Sequence, residues 1–206
     1  MDSPSPLWRG AAPLLLASTS PTRRALLTSA GLTVETQAPG VDERAVEAAC
    51  AGLGPVDLAL RLARAKAEAV AARAPDRIVV GADQVLECDG VVFHKPADAA
   101  AARTQLARLA GRTHRLHAAV ALCGGGHPPE SFVETAHLTV RPLGAAAIAA
   151  YVGRAGPAAT ASVGAYQLEG LGIHLFTRID GDHTTILGLP LLPLLARLRA
   201  RQLLAF

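Results

Sequence analysis

The apolar run Pro13-Leu14-Leu15-Leu16-Ala17, followed at once by Ser18-Thr19-Ser20-Pro21, constrains the fold more than any other stretch of the chain. A continuous run of this kind reads as a buried strand. The hydroxyl side chains that follow are helix caps and Pro21 suits a first helical turn, so the segment RRALLTSAGL is expected to be a helix that stops at Gly31. Strand, polar turn and helix N-terminus in this order outline an anion site, because the first amide N–H groups of a helix have no acceptor within it.

The rest of the chain continues the alternation of strands and helices. Residues 55–74 carry Val56, Leu60, Ala63, Ala67 and Val70 at helical spacing, with Arg61, Arg64, Glu68 and Arg73 on a polar face. Residues 77–82 form a short β-branched run that reads as a buried strand delivering Asp83 at its C-terminal end, where open α/β sheets hold their chemistry. A helix is expected over 98–109, closed by Gly111, then a long hairpin of strands over 114–123 and 132–140 around the turn-rich GGGHPPE. Residues 145–152 read as helix, 172–179 as extended, and 191–204 as a final helix set off by Pro190 and Pro193. No repeat or linker divides the chain, so residues 13–206 are expected to fold as one domain behind a loose Ser-, Pro- and Gly-rich extension over 1–12.

Composition removes several classes of function. Aromatic residues make up only 3% of the chain and its net charge of +3 is interleaved, with no solid basic block, which argues against a nucleic-acid partner. Cys50, Cys88 and Cys123 lack the paired spacing of a zinc or redox site and read as reduced thiols. The run LLLAS is too short for a secretory signal and has no basic flank, and nothing approaches the roughly 20 apolar residues of a membrane span. A cytoplasmic protein without a membrane partner is expected. The seven histidines form no H-E-x-x-H pattern, there is no P-loop, and EGLGIH lacks the strand-loop-helix setting of a dinucleotide site.

The residues that carry chemistry are bland one by one. Adjacent Arg23 and Arg24 on a helix are ordinarily solvated, Lys66 can lie along its own helix, and Asp42 or Glu43 can cap the helix that follows. With Ser18 and Ser20 at the same turn, however, two guanidiniums can hold a phosphate tail through charge-assisted bonds. Asp42, Glu43 and Asp83 can hold a divalent ion, while Lys66 and Lys95 can neutralise phosphate oxygens. Asp83 is the hardest to dismiss, since a carboxylate beside a buried strand needs a partner or solvent.

Taken together, LLLASTSPTRRALL, VDE at 41–43, LALRLARAKA, VVGADQV, HKPAD, LARLAGRTH, VGAYQLEGLGIHLFTRIDG and GLPL resemble the Maf family, related to inosine-triphosphate pyrophosphatases, in the family's order from residue 14 to about 198. The resemblance implies a mixed β-sheet with flanking helices in two lobes around a nucleotide-binding cleft, and a dimer. It implies a nucleoside triphosphate pyrophosphatase that cleaves between the α- and β-phosphates with Mg²⁺ or Mn²⁺. Ser18, Arg23 and Arg24 would face the phosphates, Glu43, Lys66 and Lys95 would surround the reacting group, Asp83 would be the base, and Glu43 with Asp83 would hold the metal. Members acting on dTTP and UTP carry Arg after SP, Thr after the catalytic Asp and Gln before the later Gly, whereas the 7-methyl-GTP group carries Trp, Gln and Glu. Here the three positions are Thr22, Gln84 and Glu169, of which two match the 7-methyl-GTP pattern and Thr22 matches neither. A nucleotide-binding regulator of septum formation, without turnover, is the reading from another functional class.

Overall fold

The computed structural model describes residues 7–206. In chain order the elements are β1 (Leu14–Ala17), α1 (Pro21–Ser29), β2 (Val34–Thr36), α2 (Glu43–Ala49), α3 (Pro55–Ala71), β3 (Val79–Cys88), β4 (Val91–Phe93) and α4 (Ala99–Leu109). They continue as β5 (Thr113–Cys123), β6 (Glu130–Val140), α5 (Ala145–Ala155), α6 (Ala158–Ala161), β7 (Phe176–Asp180), α7 (His183–Ile186) and α8 (Leu191–Ala200). Seven strands make one mixed sheet in the order β2-β1-β3-β5-β6-β7, with β4 beside β3. Strand β1 runs parallel to both β2 and β3, whereas β4 is antiparallel to β3 and β7 to β6. The connection between β5 and its sheet neighbour β6 covers residues 124–129, too short for a parallel crossover, so the expected hairpin is present.

Two expectations about strands change. Strand β3 does not end at Asp83. The apolar residues Val85, Leu86 and Cys88 carry it onward, and Asp89 and Gly90, at φ 52° and 78°, turn it into β4. Positive φ at both central residues is the geometry of the tight turn that matches strand twist, and Asp-Gly is among its preferred pairs. Residues 172–179 are extended only from Phe176; before it, Leu171–Leu175 winds as a 3₁₀ turn.

The chain divides into two compact units. The first takes the residues up to Asp83, Ala118–Glu134 and Leu187–Phe206, and the second takes Gln84–His117 and Thr135–Ile186. Leu14, Leu16, Leu27, Val80, Leu122 and Leu194 are among the core residues of the first unit. Its terminal segments are part of that packing. Trp8 is buried, its indole N–H donates to the Ala12 carbonyl at 2.7 Å, and it forms a bridge with Leu204. The loose extension expected over residues 1–12 therefore does not include 7–12, because an indole of this size stabilises the chain most when taken out of water; residues 1–6 lie outside the described residues.

The second unit has its own aliphatic core, including Leu86, Leu106, Leu116, Leu138 and Ile148. At one side of it His114 Nε2 and the Tyr166 hydroxyl share a hydrogen bond of 2.7 Å, and Phe176 meets the Tyr166 ring edge-on at 4.9 Å between centroids. His114 is fully buried, its Nδ1 has no hydrogen-bond partner among the described residues, and burial lowers its pKa from 6.5 to about 4. Burial likewise raises the Tyr166 pKa, so the pair is held neutral.

A group whose folded pKa is depressed while its basic form is buried binds fewer protons in the folded state than in the unfolded one. Its contribution to stability is therefore complete above about pH 6.5 and is lost as the pH falls toward 4. Urea unfolding across that window should show a His114-dependent loss approaching about 3 kcal/mol, with a shallower slope in His114→Gln. Equal slopes in the two proteins would mean that His114 does not hold off protonation.

Candidate active site

Site construction begins at the turn between β1 and α1. Ser20 caps α1 by accepting the Arg23 N–H at 3.3 Å, and Pro21 occupies the first helical turn, where a missing N–H costs nothing. Ser18 is buried, and its Oγ accepts the Ser20 N–H at 3.1 Å. Arg23 turns back across this corner. Its Nη1 donates to the Ala82 carbonyl at 2.8 Å and to Ser18 Oγ at 3.4 Å, and its Nε donates to the Gly188 carbonyl at 2.9 Å. Arg24, one position on, is exposed, and its guanidinium joins no hydrogen bond or ion pair among the described residues; Thr22 is half-buried on the same turn.

The second contribution comes from α3 packed on β3. Ala59, Leu62, Ala63, Lys66, Ala67 and Val70 form the buried face of α3, so Lys66 stands in an otherwise apolar row. Gly81 makes the approach possible: a Cβ there would lie 2.3 Å from the Ala63 carbonyl oxygen and 2.6 Å from the Ala67 nitrogen. With helix and strand this close, Lys66 Nζ reaches Asp83 Oδ1 at 2.6 Å and Glu43 Oε1 at 2.9 Å. Glu43 is brought there by the start of α2, whose N-terminus is capped by Asp42 accepting the Ala45 N–H at 3.1 Å. Both bland possibilities for the acidic pair are thus resolved: Asp42 caps, and Glu43 is left to pair with the lysine.

The electrostatics of this corner are strongly coupled. Lys66 and Asp83 are each less than a tenth exposed, whereas the Glu43 side chain is half in water at 53%. A buried ion pair gains little net stability once desolvation is counted, but removing one partner leaves an uncompensated charge. Burial lowers the Arg23 pKa, and the carboxylates of Asp83 and Glu43 oppose that effect, so the guanidinium remains a fixed positive charge beside them. Asp83 Oδ2 and Glu43 Oε2 take no hydrogen bond among the described residues, which leaves one acceptor oxygen on each carboxylate.

Among the described residues no group of three or more His, Cys, Asp or Glu side chains is arranged to hold a metal by itself. Two free carboxylate oxygens instead fit Mg²⁺, which keeps waters and is commonly held by one or two carboxylates together with substrate phosphates.

Ser18, Arg23, Glu43, Lys66 and Asp83 are therefore brought together in the first unit. Gln84, Lys95 and Glu169 belong to the second and are described within it. Gln84 Nε2 donates to the Thr185 and Ile186 carbonyls at 3.1 and 2.9 Å, which uses both amide protons. Lys95, after β4, and Glu169, in the turn before Gly170, are exposed and without a hydrogen bond or ion pair among the described residues. A Cβ at Gly172 would lie 2.3 Å from the Gln167 carbonyl oxygen, so EGLGIH is a tight turn and needs no nucleotide to explain its glycine. The sequence reading missed Gly81 as a site residue, although an isolated glycine within a strand is the usual sign of a close backbone approach.

The family model described as Maf-like protein matches residues 13–201. A Nitrobacter winogradskyi protein named nucleoside triphosphate pyrophosphatase is 54% identical over 199 residues, covering 97% of this chain and 98% of its own. A Rhizobium johnstonii protein named 7-methyl-GTP pyrophosphatase is 53% identical over 188 residues, covering 90% of this chain and 94% of its own. The solved Staphylococcus aureus Ham1 protein matches more distantly, with a TM-score of 0.42 and 17% identity over 62% of this chain and 71% of that one. With nearly its whole described length matched, the chain belongs to the Maf-like protein family.

Proposed function

We propose that this protein is a nucleoside triphosphate pyrophosphatase that hydrolyses the α–β phosphoanhydride bond, with 7-methyl-GTP as the preferred substrate. The observation that carries the reaction class is the Lys66 bridge, which holds Asp83 by one oxygen and leaves the other free beside the β1–α1 anion turn. A helix N-terminus whose Thr22 N–H takes no acceptor among the described residues, together with an exposed Arg24, suits a triphosphate, and a half-paired carboxylate suits proton removal from water.

In this reading Asp83 accepts the proton of a water whose oxygen bonds to the α-phosphorus. The bond from that phosphorus to the α–β bridging oxygen breaks, and pyrophosphate leaves with the electron pair. Lys66 offsets the charge that collects on the phosphate oxygens, and the family resemblance gives Lys95 the same role. Mg²⁺ or Mn²⁺ held by Glu43 and Asp83 would screen the phosphate charge from the nucleophile. A Lys-bound carboxylate also fixes the direction of the remaining oxygen, which matters because positioning contributes much of the rate in such reactions.

The preference for 7-methyl-GTP is supported by Gln84 and Glu169 and by relatives bearing that activity in their names. Glu169 favours a cationic base by charge. Thr22 has no ring to stack on it, so discrimination against other purines should be modest. The three cysteines are free, in keeping with a cytoplasmic setting where thiols stay reduced, and among the described residues no helix is long and apolar enough to cross a membrane.

Pyrophosphate release across 7-methyl-GTP, GTP, ITP, dTTP, UTP and CTP with Mg²⁺ or Mn²⁺ tests the reading. Turnover should be fastest with 7-methyl-GTP and should fall by about a hundredfold or more in Asp83→Asn. A folded Asp83→Asn protein with near-normal rates would remove Asp83 from the chemistry, and no turnover of any nucleotide would leave a binding protein. In Thr22→Trp, the ratio of kcat/KM for 7-methyl-GTP over GTP should rise by about two- to thirtyfold as a cation–π contact is gained. An unchanged ratio would show that this position does not meet the base.

A further inference from the structure

Two neighbouring arginines of the same motif have opposite surroundings. Arg24 is exposed and without a protein acceptor among the described residues, while Arg23 is tied to three chain segments by Nε and Nη1. Those segments lie 5, 59 and 165 residues away in sequence: the β1–α1 turn at Ser18, strand β3 at Ala82, and the stretch before α8 at Gly188. Ala82 is the residue immediately before Asp83, so the guanidinium grips the backbone next to the carboxylate whose free oxygen does the work.

We infer that Arg23 is a positioning residue, holding the Ala82–Asp83 backbone against the Ser18 turn, and that Arg24 is the arginine that binds the phosphate tail. Bidentate recognition of a phosphate needs two N–H groups pointing the same way. With Nε and Nη1 already engaged, only Nη2 of Arg23 is without a protein acceptor among the described residues, so it cannot present the fork that Arg24 presents intact. The three acceptors of Arg23 also explain why a planar, branched cation stands here: a lysine ammonium keeps the charge but is a single point, unable to span a carbonyl on β3 and a carbonyl before α8 in the same geometry.

This inference rests on the pyrophosphatase reading for its kinetic arm and on the fold alone for its structural arm. Arg23→Lys, Arg23→Gln and Arg24→Gln are compared in pyrophosphate release from 7-methyl-GTP, in calorimetric binding of a non-hydrolysable α,β-methylene guanosine triphosphate, and in amide hydrogen exchange. Both Arg23 variants should lower kcat by about a hundredfold, the cost of a small misplacement of a reacting group, with KM and analogue affinity within about threefold of the unaltered protein. Arg24→Gln should weaken analogue binding and raise KM by about tenfold or more, with kcat little changed. Exchange at residues 82–84 should quicken in Arg23→Lys and stay unchanged in Arg24→Gln.

Near-normal kcat in Arg23→Lys would overturn the inference, because charge alone would then suffice. So would a loss of analogue affinity in the Arg23 variants equal to that in Arg24→Gln, or failure of both Arg23 variants to fold, which would make the residue simply structural. If the unaltered protein binds the analogue but turns over no nucleotide, the pyrophosphatase reading fails by itself. The division between the two arginines is then decided by the binding and exchange results.

Discussion

Lys66 Nζ lies between Asp83 Oδ1 and Glu43 Oε1, and much of the first unit is arranged so that it can. An ammonium on the buried face of a helix is tolerable only with a carboxylate within hydrogen-bond reach. That requirement fixes the spacing of α3 from β3, which in turn requires glycine at position 81, where any Cβ would collide with the backbone at Ala63 and Ala67. It also requires α2 to begin where it does, since Glu43 sits in its first turn behind the Asp42 cap. One lysine and its two carboxylates thus tie together a helix face, a strand glycine and a helix cap that look unrelated along the chain.

The same corner shows how a few charges can be fixed in place by the fold. Arg23 and Lys66 are both largely withdrawn from solvent and both are used on protein acceptors, so their charge is fixed in place before any ligand arrives. Fixed charges need not reorganise as negative charge develops in a reaction, which is the main advantage an enclosed site has over water. The helix N-terminus of α1 adds the Thr22 N–H, without an acceptor among the described residues, while the oxygens of Ser18 and Ser20 hold the turn by accepting the Ser20 and Arg23 N–H groups.

The second unit relies on a different device. Two of its buried polar groups, His114 and Tyr166, answer one another as a neutral pair within aliphatic and aromatic packing. Glu87, also buried, is satisfied by the Gly90 N–H at 2.5 Å and by Arg115 at 2.8 Å. Those bonds to Gly90 and Arg115 hold the Glu87 pKa below the usual carboxylate value although burial, the largest single influence, pushes it up. Gln84 plays a comparable part at the start of this unit, its amide fastening the two carbonyls at the end of α7.

Periodicity and punctuation in the sequence determined most of the elements: the buried run at Leu14–Ala17, the Ser20-Pro21 start of α1, the amphipathic α3 and the Asp98 cap of α4 each follow from local preferences that act over a few residues. The Asp89-Gly90 pair is an equally local turn signal, and it puts the end of β3 at Cys88, beyond Asp83. Sequence order also delivered the family and the set of candidate residues. It could not separate Arg23 from Arg24, since both occupy the same motif with the same side chain. Which one faces solvent and which is gripped by carbonyls 59 and 165 residues away was decided by strand pairing and helix packing. Tertiary structure likewise chose Glu43 over Asp42 as the partner of Lys66 and set Trp8 against Leu204, because such contacts depend on distances between segments that no local pattern encodes.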